Sequence, residues 1–387
     1  MNGQVSIIGV GQTPTGEHWE LSLRHLALQA VQAALADAGM ADPGQIDALV
    51  VGNALAGSLS DQNNVGVLLA DFAGMRGIEA FRAESGDASG ALALRMGALL
   101  IASGAARTVM VVGAEKITDT VGSARIAALS TFLDSEYEAA QGATPVGLMA
   151  MLMRRYMHEY GVDVAKFANF SVNAHANGSK NPNAMYRNTI KADRFASAPL
   201  VAEPINLFDV APEVDGAAAV ILTSTERAGD MVPHPVKVLA SAVGTDSLAL
   251  HDRPNLLHLA AVQRATNKAL SMANLTPEDI DVAELHDSAT IMTTLALEAS
   301  GFAAPGQGWK MAAEGRIMPN GDLPISTFGG LKSRGNALGA TGVYQAVEIA
   351  LQLRGLGGPN QISGARIGMA QNLAGLGGLA VTHVFGV

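Results

Sequence analysis

The chain contains no cysteine. That excludes disulfides, thiolate metal sites and any cysteine nucleophile, whatever fold the sequence adopts. Charge is also scarce: 16% of the 387 residues are Asp, Glu, Lys or Arg, while 49% are apolar. Such a balance argues against disorder and supplies one large core or two closely joined ones. No apolar run approaches the roughly 18 residues of a membrane span, since "VSIIGVG", "ALLIASGAA" and "GAAAVIL" all break early. With a net charge of −10 and scattered basic residues, no nucleic-acid surface is expected. The N-terminus passes into a strand pattern without a basic region or apolar signal core, which predicts a cytoplasmic location. The nine histidines show no close ligand spacing, so neither a metal site nor a bound cofactor is expected.

What is present is an α/β pattern. Val- and Ile-rich strand runs alternate with long helical periodicities. After "VSIIGVG", Leu23, Leu26, Ala27, Ala30 and Ala34 share one face of a helix expected from about Glu20 to Gly39, and "IDALVVGNA" follows as a strand. The second half repeats this order with "VKVLASAVG", a helix over His258 to Ala273, and "IDVAELHD". Two further segments, "ASGALALRMGALLIASGAARTVMVVGAE" and "ATGVYQAVEIALQLRGLGGPNQISGARIGMAQN", each read as a small-residue turn, a helix, and a strand entered at Ala-Arg. Internal duplication explains the pairs. From about Ile117 to Ala211 the pattern turns polar and turn-rich, as in "NAHANGSKNPNAMYRN", which reads as an excursion from the core suited to binding.

Glycine-rich nucleotide motifs fail on inspection. "GVGQTP" has Pro14 where a dinucleotide fingerprint needs its third glycine, and no Gly-Lys-Ser/Thr loop or Gly-x-Ser-x-Gly elbow occurs. Three other stretches carry more. "AESGDASGA" puts Asp87 among small residues at a helix start; "ELHDSAT" brings His286, Asp287 and Ser288 out of an apolar strand; "STFGGLKSRGNALGATG" is a long turn-rich run leading to a helix near Thr341.

These motifs, in this order, resemble the thiolase superfamily, particularly its sterol-carrier-protein-type and archaeal members. The likeness extends through the closing "GARIGMAQNLAGLGGLAVTHVFG". It implies a five-layered αβαβα fold of two duplicated βαβαβ halves, with core segments 1–116 and 212–235, a coenzyme A-binding loop domain over 117–211, and a second half over 236–387. It also implies acyl-CoA as the substrate, a homodimer or homotetramer, and a small zinc-ribbon and OB-fold protein as a possible partner. Within that pattern Ser241 is a candidate coenzyme A contact.

The catalytic positions depart from the resemblance. Where such proteins read Cys-Ala-Ser-Gly, this chain has Asp87-Ala88-Ser89-Gly90. Gly-His-Pro-Leu-Gly-Ala-Thr-Gly becomes Gly335-Asn336-Ala337-Leu338-Gly339-Ala340-Thr341-Gly342, and His-Asp-Cys-Phe becomes His286-Asp287-Ser288-Ala289. His286 resembles the residue at the thioester oxygen, and the backbone at Ala374 and Gly375 matches a second oxyanion hole. A carboxylate makes a poor acyl acceptor, because an anhydride hydrolyses readily. Enolate chemistry remains open to it, with His286 and Asn336 as hydrogen-bond donors and Asp87 moving a proton. Burial would make Asp87 a proton donor near neutral pH; the helix N-terminus would make it a base. Bland readings stand beside these: Asp87 as a helix N-cap, Asn336 as a turn-former, and Ser288 and Tyr344 as packing residues unless they turn toward Asp87 as acid/base groups. The expected chemistry is C–C cleavage or formation of retro-aldol type, or α-proton transfer, on a CoA thioester. A catalytically silent acyl-CoA-binding subunit and a conventional acetyltransferase are the other readings.

Overall fold

A computed structural model describes residues 3–387. Its strands are β1 (Val5–Gln12), β2 (Ala48–Gly52), β3 (Glu79–Ala83), β4 (Thr108–Glu115), β5 (Leu200–Ala202), β6 (Ile205–Asn206), β7 (Gly216–Ser224), β8 (Val236–Thr245), β9 (Val282–Glu284), β10 (Ile367–Ala374) and β11 (Leu379–Gly386). The helices that matter for the site are α1 (Leu23–Asp37), α2 (Ser89–Ala102), α3 (Pro145–Tyr160), α4 (Ala260–Ala273) and α5 (Thr341–Leu353).

Nine strands form one sheet in the order β3-β2-β4-β7-β1-β8-β11-β10-β9. Read inward from its two ends, it is a duplication: β2 lies parallel to β4 and β9 parallel to β10, while β4–β7–β1 and β10–β11–β8 are antiparallel. The two half-sheets join where β1 pairs antiparallel with β8, Val5 opposite Val238 and Ile7 opposite Val236. Even β3 has a counterpart, since Ile325 bridges Ala283 in parallel as β3 does β2.

The strands are apolar on both faces because both faces are covered. Along β4, Val109 and Val111 enter the cluster around α2 and α5, whereas Met110, Val112 and Ala114 enter the cluster around α1. α2 and α5 contact strands of both half-sheets, with α1 outside the first and α4 outside the second. The result is the layered α/β architecture expected from the sequence.

Small residues set the layer spacing. A Cβ on Gly11 would come within 2.4 Å of the Ala30 carbonyl, so β1 can lie tight against α1 only as glycine. Between the two central helices the fit is as close: a Cβ on Gly342 of α5 would sit 2.3 Å from the Ala91 nitrogen of α2. Helix boundaries are shorter than the periodicity suggested. α1 stops at Asp37 because Gly39, at φ +64, turns the chain, with Met40 N–H returning to the Leu35 carbonyl at 2.9 Å.

Between β4 and β7 run α3, the helix Ala168–Gly178 and the small β5–β6 hairpin. α3 starts where Thr144 caps the Gly147 N–H at 3.2 Å just before Pro145, and ends at Gly161 in the left-handed region. Its buried face, Met149, Leu152, Met153 and Tyr156, packs onto the second half's core.

Candidate active site

The N-terminal ends of α2 and α5 meet at one cavity of about 300 Å³. Asp87, Asn336, Ser288 and Gly375 line it, together with Glu213, Arg125 and Met149. Asp87 stands one residue before the N-cap Ala88, and no side chain caps α2. Its carboxylate instead accepts from the Asn336 amide at 3.3 Å, with the Gly375 backbone N–H near enough to favour the charged form. The N-cap reading of Asp87 therefore fails. Ser89 ties the turn together in its place, its hydroxyl donating to the Gly86 carbonyl at 2.6 Å and accepting from the Ser85 N–H at 2.9 Å.

Burial dominates the acidity of Asp87. It pushes the carboxyl up to about 7, with nearby Glu213 adding to the rise and the Asn336 and Gly375 hydrogen bonds opposing it. Both protonation states are thus present near neutral pH, which answers the contest between burial and helix end.

Asn336 is aimed by its own turn. Its side-chain oxygen accepts from the Leu338 N–H at 3.1 Å and the Thr341 hydroxyl at 2.7 Å, which leaves the NH₂ group for Asp87. The turn-forming and site-facing readings of Asn336 hold together: one end of the amide builds the loop, the other faces the cavity. Its main chain pairs with the strand entry, N–H to the Pro212 carbonyl at 2.8 Å and carbonyl to the Val214 N–H at 3.0 Å.

Glu115 fixes the same region from below. Its buried carboxylate accepts from the Ala54 N–H at 2.8 Å, the Leu55 N–H at 3.1 Å, the Gly339 N–H at 3.1 Å and the Asn53 amide at 2.9 Å. It clamps the exit of β2 to the turn that carries Asn336.

His286 is fully buried just beyond β9 and is not among the cavity's lining residues. The Asn372 amide donates to its Nδ1 at 3.0 Å, so the ring proton belongs on Nε2. Burial holds its pKa down to about 3, with Arg334 contributing, so the ring is neutral. Ser288, two residues on, does line the cavity, its hydroxyl 3.8 Å from the Met149 sulfur. Of the backbone oxyanion candidates, Gly375 reaches Asp87 at φ +51; a Cβ there would lie 2.7 Å from the Phe132 carbonyl, so glycine is required. Ala374 lies at the end of β10 and lines a neighbouring cavity.

Two candidates lie elsewhere. Tyr344 is fully buried inside the helix layer, its hydroxyl donating to the Thr13 carbonyl at 3.0 Å, with the Arg334 guanidinium 4.8 Å from its ring centre. Burial raises its pKa, and its position on the inner face of α5 points it away from Asp87's cavity. Ser241 is fully buried on β8 beneath Arg95, which donates to its carbonyl and, at 3.4 Å, to its hydroxyl. It cannot contact coenzyme A there. Period-two burial of the strand and helical burial of α5 put both side chains inside the layers.

Glu213 and Arg125 are the residues that sequence reasoning missed. A bridge pairs the Glu213 backbone with Asn336. The only sequence signal was an acid between Pro212 and the buried strand of "DGAAAVIL".

With this geometry in place, family comparison decides the assignment. Residues 5–226 match the thiolase N-terminal domain and residues 242–387 the thiolase C-terminal domain-like family. The chain belongs to the thiolase superfamily. It is 42% identical over 381 residues to an acetyl-CoA acetyltransferase of Methanothermobacter thermautotrophicus, covering 98% of this chain and 99% of that protein. It is 30% identical to the 17-hydroxy-3-oxo-4-pregnene-20-carboxyl-CoA lyase of Mycobacterium tuberculosis, covering 92% of each. Among solved structures, the Ltp2-ChsH2(DUF35) aldolase superposes with a TM-score of 0.86 at 26% identity, covering all of this chain and 98% of that one. This thiolase-superfamily chain thus has similar proteins named for acetyl transfer and others named for C–C cleavage, and it handles acyl-CoA as the superfamily does. Among the described residues no helix is long and apolar enough to cross a membrane.

Proposed function

We propose that this protein makes or breaks a C–C bond beside the carbonyl of a CoA thioester through an enolate, without acylating itself, and that retro-aldol cleavage is its physiological direction. The observation that carries this reading is Asp87: a buried carboxyl at about 7, in the cavity, held by the Asn336 amide. A carboxyl with that pKa gives and takes a proton at neutral pH with little driving-force penalty. The chain has no thiol to acylate. Asp87 is the proton donor to, and acceptor from, the α-carbon. His286, neutral with its proton on Nε2, is assigned as donor to the thioester oxygen on the superfamily resemblance; it lies behind the cavity wall that Ser288, two residues on, helps to line.

The lyase and aldolase names of similar proteins support cleavage as the direction. The aldolase is named as two components, and we extend that to a second protein of zinc-ribbon and OB-fold type acting with this chain. A dimer or tetramer in the cytoplasm is part of the same proposal.

The test is incubation of the protein, alone and with its partner, with acetyl-CoA or a β-hydroxyacyl-CoA in D₂O. Deuterium entering the α-position, or cleavage, is the expected result. Bound thioester with neither would overturn the reading.

A further inference from the structure

The cavity at Asp87 does not end there. A second, largely apolar chamber of about 550 Å³ adjoins it, walled by Ile190, Leu207, Phe208 and the aliphatic faces of Val201 and Val210. Five residues belong to both spaces, and Glu213 is the one that ionises. Its carboxylate therefore stands at the doorway between the proton-transfer site and the apolar chamber.

Glu213 is half-buried, and its carboxylate accepts only from its own backbone N–H among the described residues. Burial raises its pKa above the ordinary glutamate range, and the Arg125 charge on the same cavity wall opposes part of that rise. Its backbone bridge to Asn336 fixes it relative to Asp87. A carboxyl of raised basicity with unused acceptor capacity at such a place has a specific chemical use: as the carboxylate it takes a proton from a substrate hydroxyl.

Resting on the enolate reading above, we propose that Glu213 is the base for the β-hydroxyl of the substrate, and that the substrate is a β-hydroxyacyl thioester whose apolar β-substituent lies in the adjoining chamber. The carboxylate of Glu213 accepts the hydroxyl proton, and the O–H electron pair forms the new C=O bond. The Cα–Cβ bond breaks, and its pair becomes the thioester enolate. Protonated Asp87 then delivers its proton to Cα. The products are an apolar ketone or aldehyde and a shortened acyl thioester, and solvent carries the proton from Glu213 back to Asp87. No oxidant or reductant takes part.

The experiment compares the wild type with Glu213→Gln in the full chain, with partner where required, on two readouts: α-deuterium exchange into the acetyl thioester, which needs no base for a β-hydroxyl, and cleavage of β-hydroxyacyl-CoAs of increasing apolar substituent. The expected result is cleavage lowered about 10²-fold or more while exchange persists, its pH profile moved to lower pH because the Glu213 charge no longer raises Asp87. Leu207→Trp, which narrows the chamber, should lower kcat/KM for large substituents and leave a methyl substituent unaffected. Cleavage by Glu213→Gln near the wild-type rate would overturn the proposal, as would parallel loss of both readouts. Wild-type exchange without cleavage of any β-hydroxyacyl-CoA would also overturn it. Absence of exchange in the wild type would fall first on the enolate reading, so the two failures are told apart.

Discussion

On the proposed enolate chemistry Asp87 would carry opposite duties in the two directions, and its acidity makes them separable. Taking a proton from an acyl thioester needs the carboxylate, so deuterium exchange should rise with pH through about 7. Delivering a proton to the enolate needs the acid, so cleavage should fall through the same value. Rate profiles for the two reactions on one preparation check this; parallel profiles would remove Asp87 from the role. The same shift predicts stability. A carboxyl raised from 3.8 to about 7 binds its proton more tightly folded than unfolded, so its contribution is fully favourable below about 4 and is lost as pH rises to about 7. Asp87→Asn carries no such loss. Its thermal stability relative to wild type should therefore climb between about pH 4 and 7, by on the order of 4 kcal/mol at the plateau. His286, held near 3, stays neutral through that range and adds no step to either rate profile; in stability it works in the reverse sense, its contribution lost as pH falls below about 6.5, equally in wild type and Asp87→Asn. These residue-scale properties were only partly readable in the sequence. The motif positions of Asp87, Asn336 and His286 stood out, but Asn372, which orients His286, and Glu213, which lines the cavity of Asp87, are ordinary residues until the fold puts them in place.

At the scale of elements, the site depends on turns held from beneath. Glu115 accepts three backbone N–H groups and the Asn53 amide, joining the β2 exit to the turn before α5. Glu115→Ala would leave those buried donors without partners and should cost about 3–5 kcal/mol of unfolding free energy, read by denaturant titration. Gly342→Ala tests the helix pair directly. The added methyl would lie 2.3 Å from the Ala91 nitrogen, against backbone that cannot swing aside, so soluble folded protein should be largely lost. Element type was legible from periodicity: α1, α2, α4 and α5 all begin within about three residues of their expected starts. The direction a buried side chain takes was not. Tyr344 and Ser241 lie in elements correctly read, yet an apolar helix or strand covered on both faces gives no sign in its sequence of which residues face the site.

For the whole molecule, the duplication seen in the sequence reappears as a sheet whose two ends mirror one another, and the site lies where the halves meet. A chain with no thiol cannot store an acyl group as a cysteinyl thioester. Intact-mass measurement after incubation with acetyl-CoA should therefore show unmodified protein, and sustained CoA-dependent thiolysis with a trapped acyl-enzyme would contradict the proposed chemistry. What the sequence could not convey at this scale is how the halves join. The pairing of β1 with β8, and the cavity it leaves between α2 and α5, arise from contacts more than 200 residues apart along the chain.

The 3.3 Å contact from Asn336 to Asp87 spans that junction, because one partner rides on the first half and the other on the second. Proton affinity at the site is consequently tied to the fit between halves. A molecule that draws α2 and α5 together strengthens the hydrogen bond and acidifies Asp87, and one that wedges them apart does the reverse. By reciprocity, each protonation state of Asp87 would favour a different spacing of the halves.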